Sequence, residues 1–196
     1  MPAPIEGGRN SDGDRHVIVV QRGTCRLFEL YRAFRRGAGW AADSAATYNL
    51  RSNRLRPAGW TSADAAGLPI FPGLARYDES RSGVIRHALR FTVSDTQRGY
   101  VYPARHFASN SRKADLPPMG LRLRLKASYP IGAYRGHARV ILTALKRYGM
   151  IVADNGADWF ITGASDRRWP DEDLNQLKRV PGAAFEVVRS GPITRG

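Results

Sequence analysis

The sequence predicts a mainly β protein, an antiparallel β-sandwich or jelly-roll-like fold with one or two short helices near the C-terminus. Three observations predict it: short segments in which apolar and polar residues alternate, turns rich in Gly and Asn between them, and helical periodicity confined to the C-terminal part. At 196 residues, of which 42% are hydrophobic, the chain is long enough for one domain with its own core.

The N-terminal elements are a tail and a hairpin. Residues 1–14 are rich in Pro, Gly, Asn and Asp and predict a flexible tail, so that a single domain covers residues 15–190 and a second tail covers 191–196. Two segments rich in β-branched and aromatic residues flank Arg22-Gly23-Thr24. This pattern is typical of a β-hairpin.

A long loop and two strands follow. Residues 56–83 are rich in Pro and Gly, and loops of this length are usually functional. Residues 84–93 alternate as a strand that places His87 on its apolar face. Residues 121–127 alternate more cleanly, with three leucines on one face and three cations on the other: Arg122, Arg124 and Lys126.

The C-terminal part combines helices and strands. Residues 136–148 have helical spacing, and Gly149 is suited to end that helix. The Asn155-Gly156 pair predicts a hairpin between residues 150–153 and 158–162. Pro170 followed by acids predicts a short helix, and residues 185–188 predict a closing strand.

The charge balance restricts the partners. With 31 Lys+Arg against 17 Asp+Glu the formal net charge is +14, although 27 of the cations are Arg, which a GC-rich coding bias would also produce. Residues 84–135 hold ten cations and only two acids, Asp95 and Asp115, and this local excess favours an anionic partner. Motifs of nucleic-acid binding are lacking, which makes nucleic acid the weaker expectation. We expect no membrane span, and the single Cys25 excludes a disulfide framework.

Carboxylates are the first candidates for catalysis, because the common nucleotide, hydrolase and zinc motifs are missing. Asp64 and Asp78 share the long loop and could serve as the acid and base of a glycosidase. Asp78 beside Arg76 could equally form an ion pair that fixes the loop, and Asp154 before Asn-Gly is typical of a turn residue.

Histidines are the second candidates. His106 follows a Pro in a loop and is a catalytic candidate, whereas His87 could be a buried core residue or contact substrate. Together with Asp64 they would suit a divalent metal, although no spacing rule requires one and no cofactor is implied otherwise. We expect His16 and His137 to be solvated.

The basic strand face is the third candidate. A polyanion could lie along it, with aromatic residues as platforms for sugar rings, and the predicted substrate-binding set is Trp60, Arg76, His87, Tyr102, Arg122, Arg124 and Lys126. In a uronate lyase the cations would neutralise the uronate while His106 or Tyr102 removes a proton. A charged strand face that only prevents aggregation is the alternative.

Several long segments resemble a known family in the same order, among them LRSNRLRPAGWTSADAAGLPIFPGLARYDE, YVYPARHFASNS and ALKRYGMIVADNGADWFITGA. The chain resembles a family of secreted bacterial β-rich proteins, sometimes labelled secreted glycosyl hydrolases and found beside carbohydrate-binding modules. The resemblance implies a protein outside the cell that works on polysaccharide, although the sequence itself carries no signal-peptide hydrophobic region.

The leading hypothesis is therefore a secreted carbohydrate-active enzyme, most simply a glycoside hydrolase. Asp64 and Asp78 would supply the acid and base, while Arg76 and His106 hold the substrate or tune a carboxyl group. A uronate polysaccharide lyase and a non-catalytic carbohydrate-binding module remain as alternatives. The sequence leaves the oligomeric state open.

Overall fold

The computed structural model describes residues 3–195, so Met1, Pro2 and Gly196, which belong to the two predicted tails, lie outside the described residues. The strands are β1 (Val17–Gln21), β2 (Arg26–Tyr31), β3 (Phe34–Arg36), β4 (Gly39–Ala41), β5 (Ser44–Asn49), β6 (Leu89–Val93), β7 (Arg122–Leu125), β8 (Met150–Asn155) and β9 (Phe185–Val187). The α-helices are α1 (Tyr77–Arg81), α2 (Gly136–Arg147) and α3 (Asp171–Asn175), with 3₁₀ turns at Phe71–Gly73, Gln176–Arg179 and Gly182–Ala184.

The N-terminal half forms two antiparallel sheets. One has the order β1-β2-β5, and the other is the β3-β4 ribbon. The predicted hairpin is confirmed, since β1 and β2 pair in the register Val17↔Leu30 across the Gly23 turn. Residues 3–14 are hydrogen-bonded to the start of this sheet, because Glu6 N donates to the carbonyl of His16.

The C-terminal half is a mixed sheet of order β6-β8-β7-β9. β6 and β8 run parallel, whereas β7 is antiparallel to both β8 and β9. The helix α2 connects β7 to β8 and packs its apolar side into the largest core cluster, to which Leu89, Phe91, Leu123, Leu142, Leu145, Met150 and Val152 belong. The predicted helix end is confirmed, because α2 ends at Arg147, Tyr148 is its C-cap, and Gly149 follows with φ of +73°.

A bulge interrupts the pairing of β6 with β8. Phe91 pairs with Val152, but the next residue of β6, Thr92, pairs with Asp154. Ala153 is therefore an extra residue in β8, and it shifts Asp154 to the sheet face that carries Arg90 and Thr92.

The mainly β prediction is confirmed, since strands in three sheets dominate and the helices are few and short. The antiparallel sandwich or jelly roll is not confirmed, because the sheets do not close on one another and the largest one contains a parallel pair. The hairpin expected at Asn155-Gly156 is wrong: the chain beyond the turn returns to β6, where Phe91 bridges Ile161 and Trp159 N donates to the carbonyl of Thr92. The strand expected over residues 84–93 begins only at Leu89.

Among the described residues, no helix is long and apolar enough to cross a membrane.

Candidate functional site

Three charged side chains meet on the face of the mixed sheet opposite α2. Arg90 of β6 extends between Asp64, from the long loop, and Asp154, from the end of β8. Its Nη2 lies 2.9 Å from Asp64 Oδ1 and 4.0 Å from Asp154 Oδ2. The same guanidinium donates from Nη1 to the hydroxyl of Thr162 at 2.8 Å. We call Asp64 and Asp154, with Arg90 between them, the carboxyl pair.

The loop around Asp64 is held by its own backbone. The Ser62 hydroxyl donates to the carbonyl of Leu68 at 2.8 Å and accepts from Asp64 N at 2.9 Å. Two residues beyond Asp64, Ala66 N donates to the carbonyl of Ala153, the extra residue of the bulge, at 3.0 Å. These bonds hold the backbone of the loop against the sheet, and the position of the Asp64 carboxyl follows from them.

The two carboxyl groups differ in exposure. The Asp64 side chain is 1% exposed, whereas that of Asp154 is 27% exposed and is the member of the pair that solvent reaches. In the part of the chain that the structure describes, Asp64 Oδ2 is buried without a hydrogen-bond partner when the carboxyl is ionised. A proton on Asp64 would turn this oxygen into a donor towards Asp154, whose carboxyl lies on the same guanidinium nitrogen, and so would remove the deficit.

Burial sets the protonation of the pair. It raises the pKa of Asp64 from 3.8 to about 7; the Arg90 cation opposes this effect and the charge of Asp154 adds to it. Burial also raises the pKa of Asp154, while Arg90, the amide of Asn155 and the hydrogen bond from Asp64 act in the opposite direction. Near pH 7 the Asp64 carboxyl is therefore about half protonated, and it is mainly neutral below this pH.

A further buried acid lies on the N-terminal sheet. Glu29 of β2 is completely buried, and its two oxygens accept from Ile70 N at 2.9 Å and Phe71 N at 2.8 Å. Burial raises the pKa of its carboxyl, and the Arg90 cation lowers it in part. Because one guanidinium faces several acids, full ionisation of all of them is unfavourable.

Exposed aromatic residues lie on the two loops beside this group. Gly59 N donates to the carbonyl of Arg105 at 2.7 Å, which joins the loop of Trp60 to that of Tyr102. Trp60 and Tyr102 are both well exposed, and the guanidinium of Arg56 lies 5.5 Å from the Trp60 ring centre. An exposed ring of this kind is a suitable platform for a sugar or another flat ligand.

His106 belongs to the same pair of loops. Its Nδ1 donates to the carbonyl of Ala65, next to Asp64, at 2.9 Å, and its ring stacks on Phe107. His106 therefore contacts the backbone of the Asp64 loop and is only partly buried.

A second ionic cluster forms around α1. Glu79 lies 2.5 Å from Arg76 Nη2 and 3.2 Å from His87 Nε2, with its two oxygens on different partners. The Nδ1 of His87 donates to the carbonyl of Ala88, which directs Nε2 at Glu79 and Arg76. Arg76 and His87, both predicted to bind substrate, are therefore bound to Glu79.

The remaining predicted residues lie apart from the carboxyl pair. Asp78 on α1 is 77% exposed and lies 2.9 Å from a nitrogen of Arg168. On β7, Arg122 and Arg124 are exposed, and Arg124 is bound to Glu186 at 2.5 Å. Lys126 donates from Nζ to the carbonyl of Ala183 at 2.9 Å. No group of three His, Cys, Asp or Glu that could hold a metal occurs among residues 3–195.

Two histidines differ from expectation. His16 is mostly buried, with Nδ1 2.7 Å from Glu6 and Nε2 2.9 Å from the carbonyl of Ala63, so it is not simply solvated. Burial lowers the pKa of its imidazole, but the hydrogen bonds to Glu6 and Ala63 raise it, and the net direction is upward. His137 bonds to the buried hydroxyl of Ser80 at 2.8 Å and packs against Trp169.

Sequence reasoning missed Glu29 and the burial of Arg90, and it gave Asp154 little weight. Arg90 and Glu29 each occupy a strand position between apolar neighbours, and alternation alone assigns such positions to solvent. The signal in the sequence that could have indicated their burial is a single charged residue within an otherwise apolar strand.

The chain matches no family model, and no curated protein and no solved structure is significantly similar to it.

Proposed function

We propose that the protein is a carbohydrate-active hydrolase that cleaves glycosidic bonds of a polysaccharide, with the carboxyl pair in its acid–base chemistry. The observation that carries this proposal is the buried Asp64 carboxyl, which faces the same guanidinium nitrogen of Arg90 as the partly exposed Asp154; burial raises the pKa of Asp64 to about 7. Adjacent carboxyls whose surroundings separate their protonation states are typical of acid–base sites.

The exposure of the two groups assigns their roles. Asp154 reaches solvent and is the catalytic residue, whereas Asp64 is a positioning residue that acts through it. Ionised Asp154 takes a proton from a water molecule as that water attacks the anomeric carbon, and the bond to the leaving oxygen breaks. The hydrogen bond from Asp64 stabilises Asp154 in its ionised form.

Glycosidases need a second carboxyl about 5–10 Å away to protonate the leaving oxygen. Asp64 is not suited to this task, because its side chain is only 1% exposed and does not reach a bound sugar. We propose instead that the leaving oxygen takes its proton from a solvent water molecule as the bond to the anomeric carbon breaks.

The choice of a polysaccharide rests on the aromatic loops and on the resemblance described above, which also implies action outside the cell. Trp60 and Tyr102 offer stacking surfaces beside the carboxyl pair. The excess of cations over residues 84–135 supports an anionic polysaccharide as the first substrate to test.

The test is release of reducing ends from a panel of neutral and anionic polysaccharides. We expect Asp154→Asn to abolish release, and Asp78→Asn, which makes the same chemical change at an exposed ion pair, to leave it unchanged. Asp64→Asn is expected to lower kcat and to remove a step near pH 7 from the pH profile. Full activity of Asp154→Asn, or no reducing ends from any polysaccharide, would refute the proposal.

A non-catalytic carbohydrate-binding module is the second candidate, and the near-complete burial of Asp64 favours it. It predicts retention on an insoluble polysaccharide that Trp60→Ala abolishes and Asp154→Asn does not. A lyase has less support, because Arg124 and Lys126 are already bound to Glu186 and to the carbonyl of Ala183. The ultraviolet absorbance of a newly formed C=C bond would identify a lyase in the same assay.

A further inference from the structure

A cavity of about 740 Å³ opens on the α2 side of the mixed sheet, separate from the carboxyl pair. Its floor is apolar and is formed by the core residues Phe91, Val101, Leu123 and Val152 together with Leu116, Leu121, Phe185 and Ile193. A volume of this size is typical of small-molecule sites, which are commonly apolar with a few polar groups.

Three carboxylates form the rim of this cavity: Asp95, Asp115 and Asp158. Asp95 and Asp115 are the only two acids of the basic segment 84–135, and both line the same opening. Asp158 accepts from Ser94 N at 2.7 Å and from the Ser94 hydroxyl at 3.1 Å, which fixes its position.

The rim differs in charge from the rest of the molecule. No Lys, Arg or His is found among the described residues that line the cavity, although the chain carries 31 Lys+Arg. Within residues 3–195, none of the three carboxylates lies within ion-pairing distance of a cation. In a protein of net charge +14, this opening therefore differs from its surroundings, because its three acids lack a cationic partner among the described residues.

An aromatic ring lies at the same opening. Trp159 is 41% exposed and packs edge-to-face on Phe185, with ring centres 5.4 Å apart. Its backbone has φ of +62°, a left-handed conformation that a bulky residue rarely adopts. An exposed indole face beside carboxylates is well suited to an ammonium group.

We propose that this cavity binds an amphiphilic cation, a small ligand with an apolar chain or ring and an ammonium group. The apolar part occupies the floor, and the ammonium group lies among the rim carboxylates and the face of Trp159. The proposal does not depend on the carboxyl pair or on any catalytic activity.

Isothermal titration with three probes of equal chain length tests it: decyltrimethylammonium, decyl sulfate and decanol, each below the concentration at which it aggregates. The net charge of the protein alone favours the sulfate, so preference for the cation identifies the local effect of the rim carboxylates. We expect decyltrimethylammonium to bind most tightly, and the indole resonance of Trp159 to shift in NMR spectra as it binds.

Two variants locate the site. Asp95→Asn with Asp115→Asn is expected to weaken binding of the cation by roughly 3- to 10-fold and to leave decanol unchanged, since exposed charges contribute modestly. Asp78→Asn, the same change at a distant exposed acid, should have no effect. Val187→Trp, at an exposed position of the lining, should block all three probes.

Equal binding of the cation and the sulfate, or an equal effect of Asp78→Asn and the double variant, would overturn the proposal. If Val187→Trp fails to fold, the double variant and the comparison of probes still decide the matter.

Discussion

Replacing Asp64 by Asn should make the protein less sensitive to pH. The folded pKa of about 7 lies above the ordinary value of 3.8, so between these values the folded state binds more protons than the unfolded state. The free energy of unfolding therefore falls as the pH rises through this window and levels off above about pH 7. At about 1.4 kcal/mol per pH unit, the contribution of Asp64 amounts to roughly 4 kcal/mol.

Asn has the shape of the neutral carboxyl and does not ionise. Its amide can donate to Asp154 while its oxygen accepts from Arg90, as the protonated acid does. We expect the variant to match the wild type near pH 4.5 and to be more stable by roughly 3 kcal/mol at pH 8, because about 2.5 pH units of the window lie above pH 4.5.

Urea unfolding followed by circular dichroism from pH 4.5 to 8 measures this difference. The variant-minus-wild-type curve isolates Asp64 from Glu6, whose pKa is lowered, and from His16, whose pKa is raised. Asp78→Asn is the matched control and should follow the wild type, because its side chain is exposed. A difference curve that is flat with pH would refute the argument.

Two further predictions concern the same region. Arg90→Met removes the cation that lies between the two carboxyl groups. It should lower the free energy of unfolding by about 3–5 kcal/mol at pH 8 and by less at pH 5, where Asp64 can be neutral. Urea titrations at both pH values measure the two losses, and equal losses would contradict the prediction. Gly67→Ala should be more destabilising than Gly83→Ala by about 1–3 kcal/mol. Both residues have positive φ, but only at Gly67 would the new Cβ approach the backbone, where it would lie 2.5 Å from the carbonyl oxygen of Trp60. Thermal melts of the two variants compare them directly, and equal losses would show that the approach of Trp60 is unimportant.

The features that the sequence predicts correctly are those that local patterns determine. The first hairpin, the alternation of β7 and the end of α2 at Gly149 follow from turn chemistry and from spacing within a few residues. The pairing of residues 158–162 with β6 does not follow from local patterns, because it depends on packing between segments that are distant in sequence. A turn at Asn155-Gly156 allows residues 158–162 to pair either with β8 or with β6.

The same distinction applies to the candidate site. The sequence predicts Asp64 and His106 as site residues of two loops, and the structure brings these loops together, because His106 hydrogen-bonds to the carbonyl of Ala65, the residue after Asp64. Burial of Asp64, its contact with Arg90 and the direction of Asp154 depend on how the loop docks on the sheet. Asp78 was selected with equal weight, yet a single helical position separates it from Glu79 and directs it towards Arg168.

The extra residue of β8 has a consequence for variation in this protein. Ala153 turns Asp154 towards Arg90, and its carbonyl also anchors the loop of Asp64 through Ala66 N. Both carboxyls thus depend on the length of the chain at one point rather than on the side chain there. Deleting that one residue would therefore displace both acids together, whereas Gly or Ser in place of the buried alanine would keep the number of backbone units that positions them.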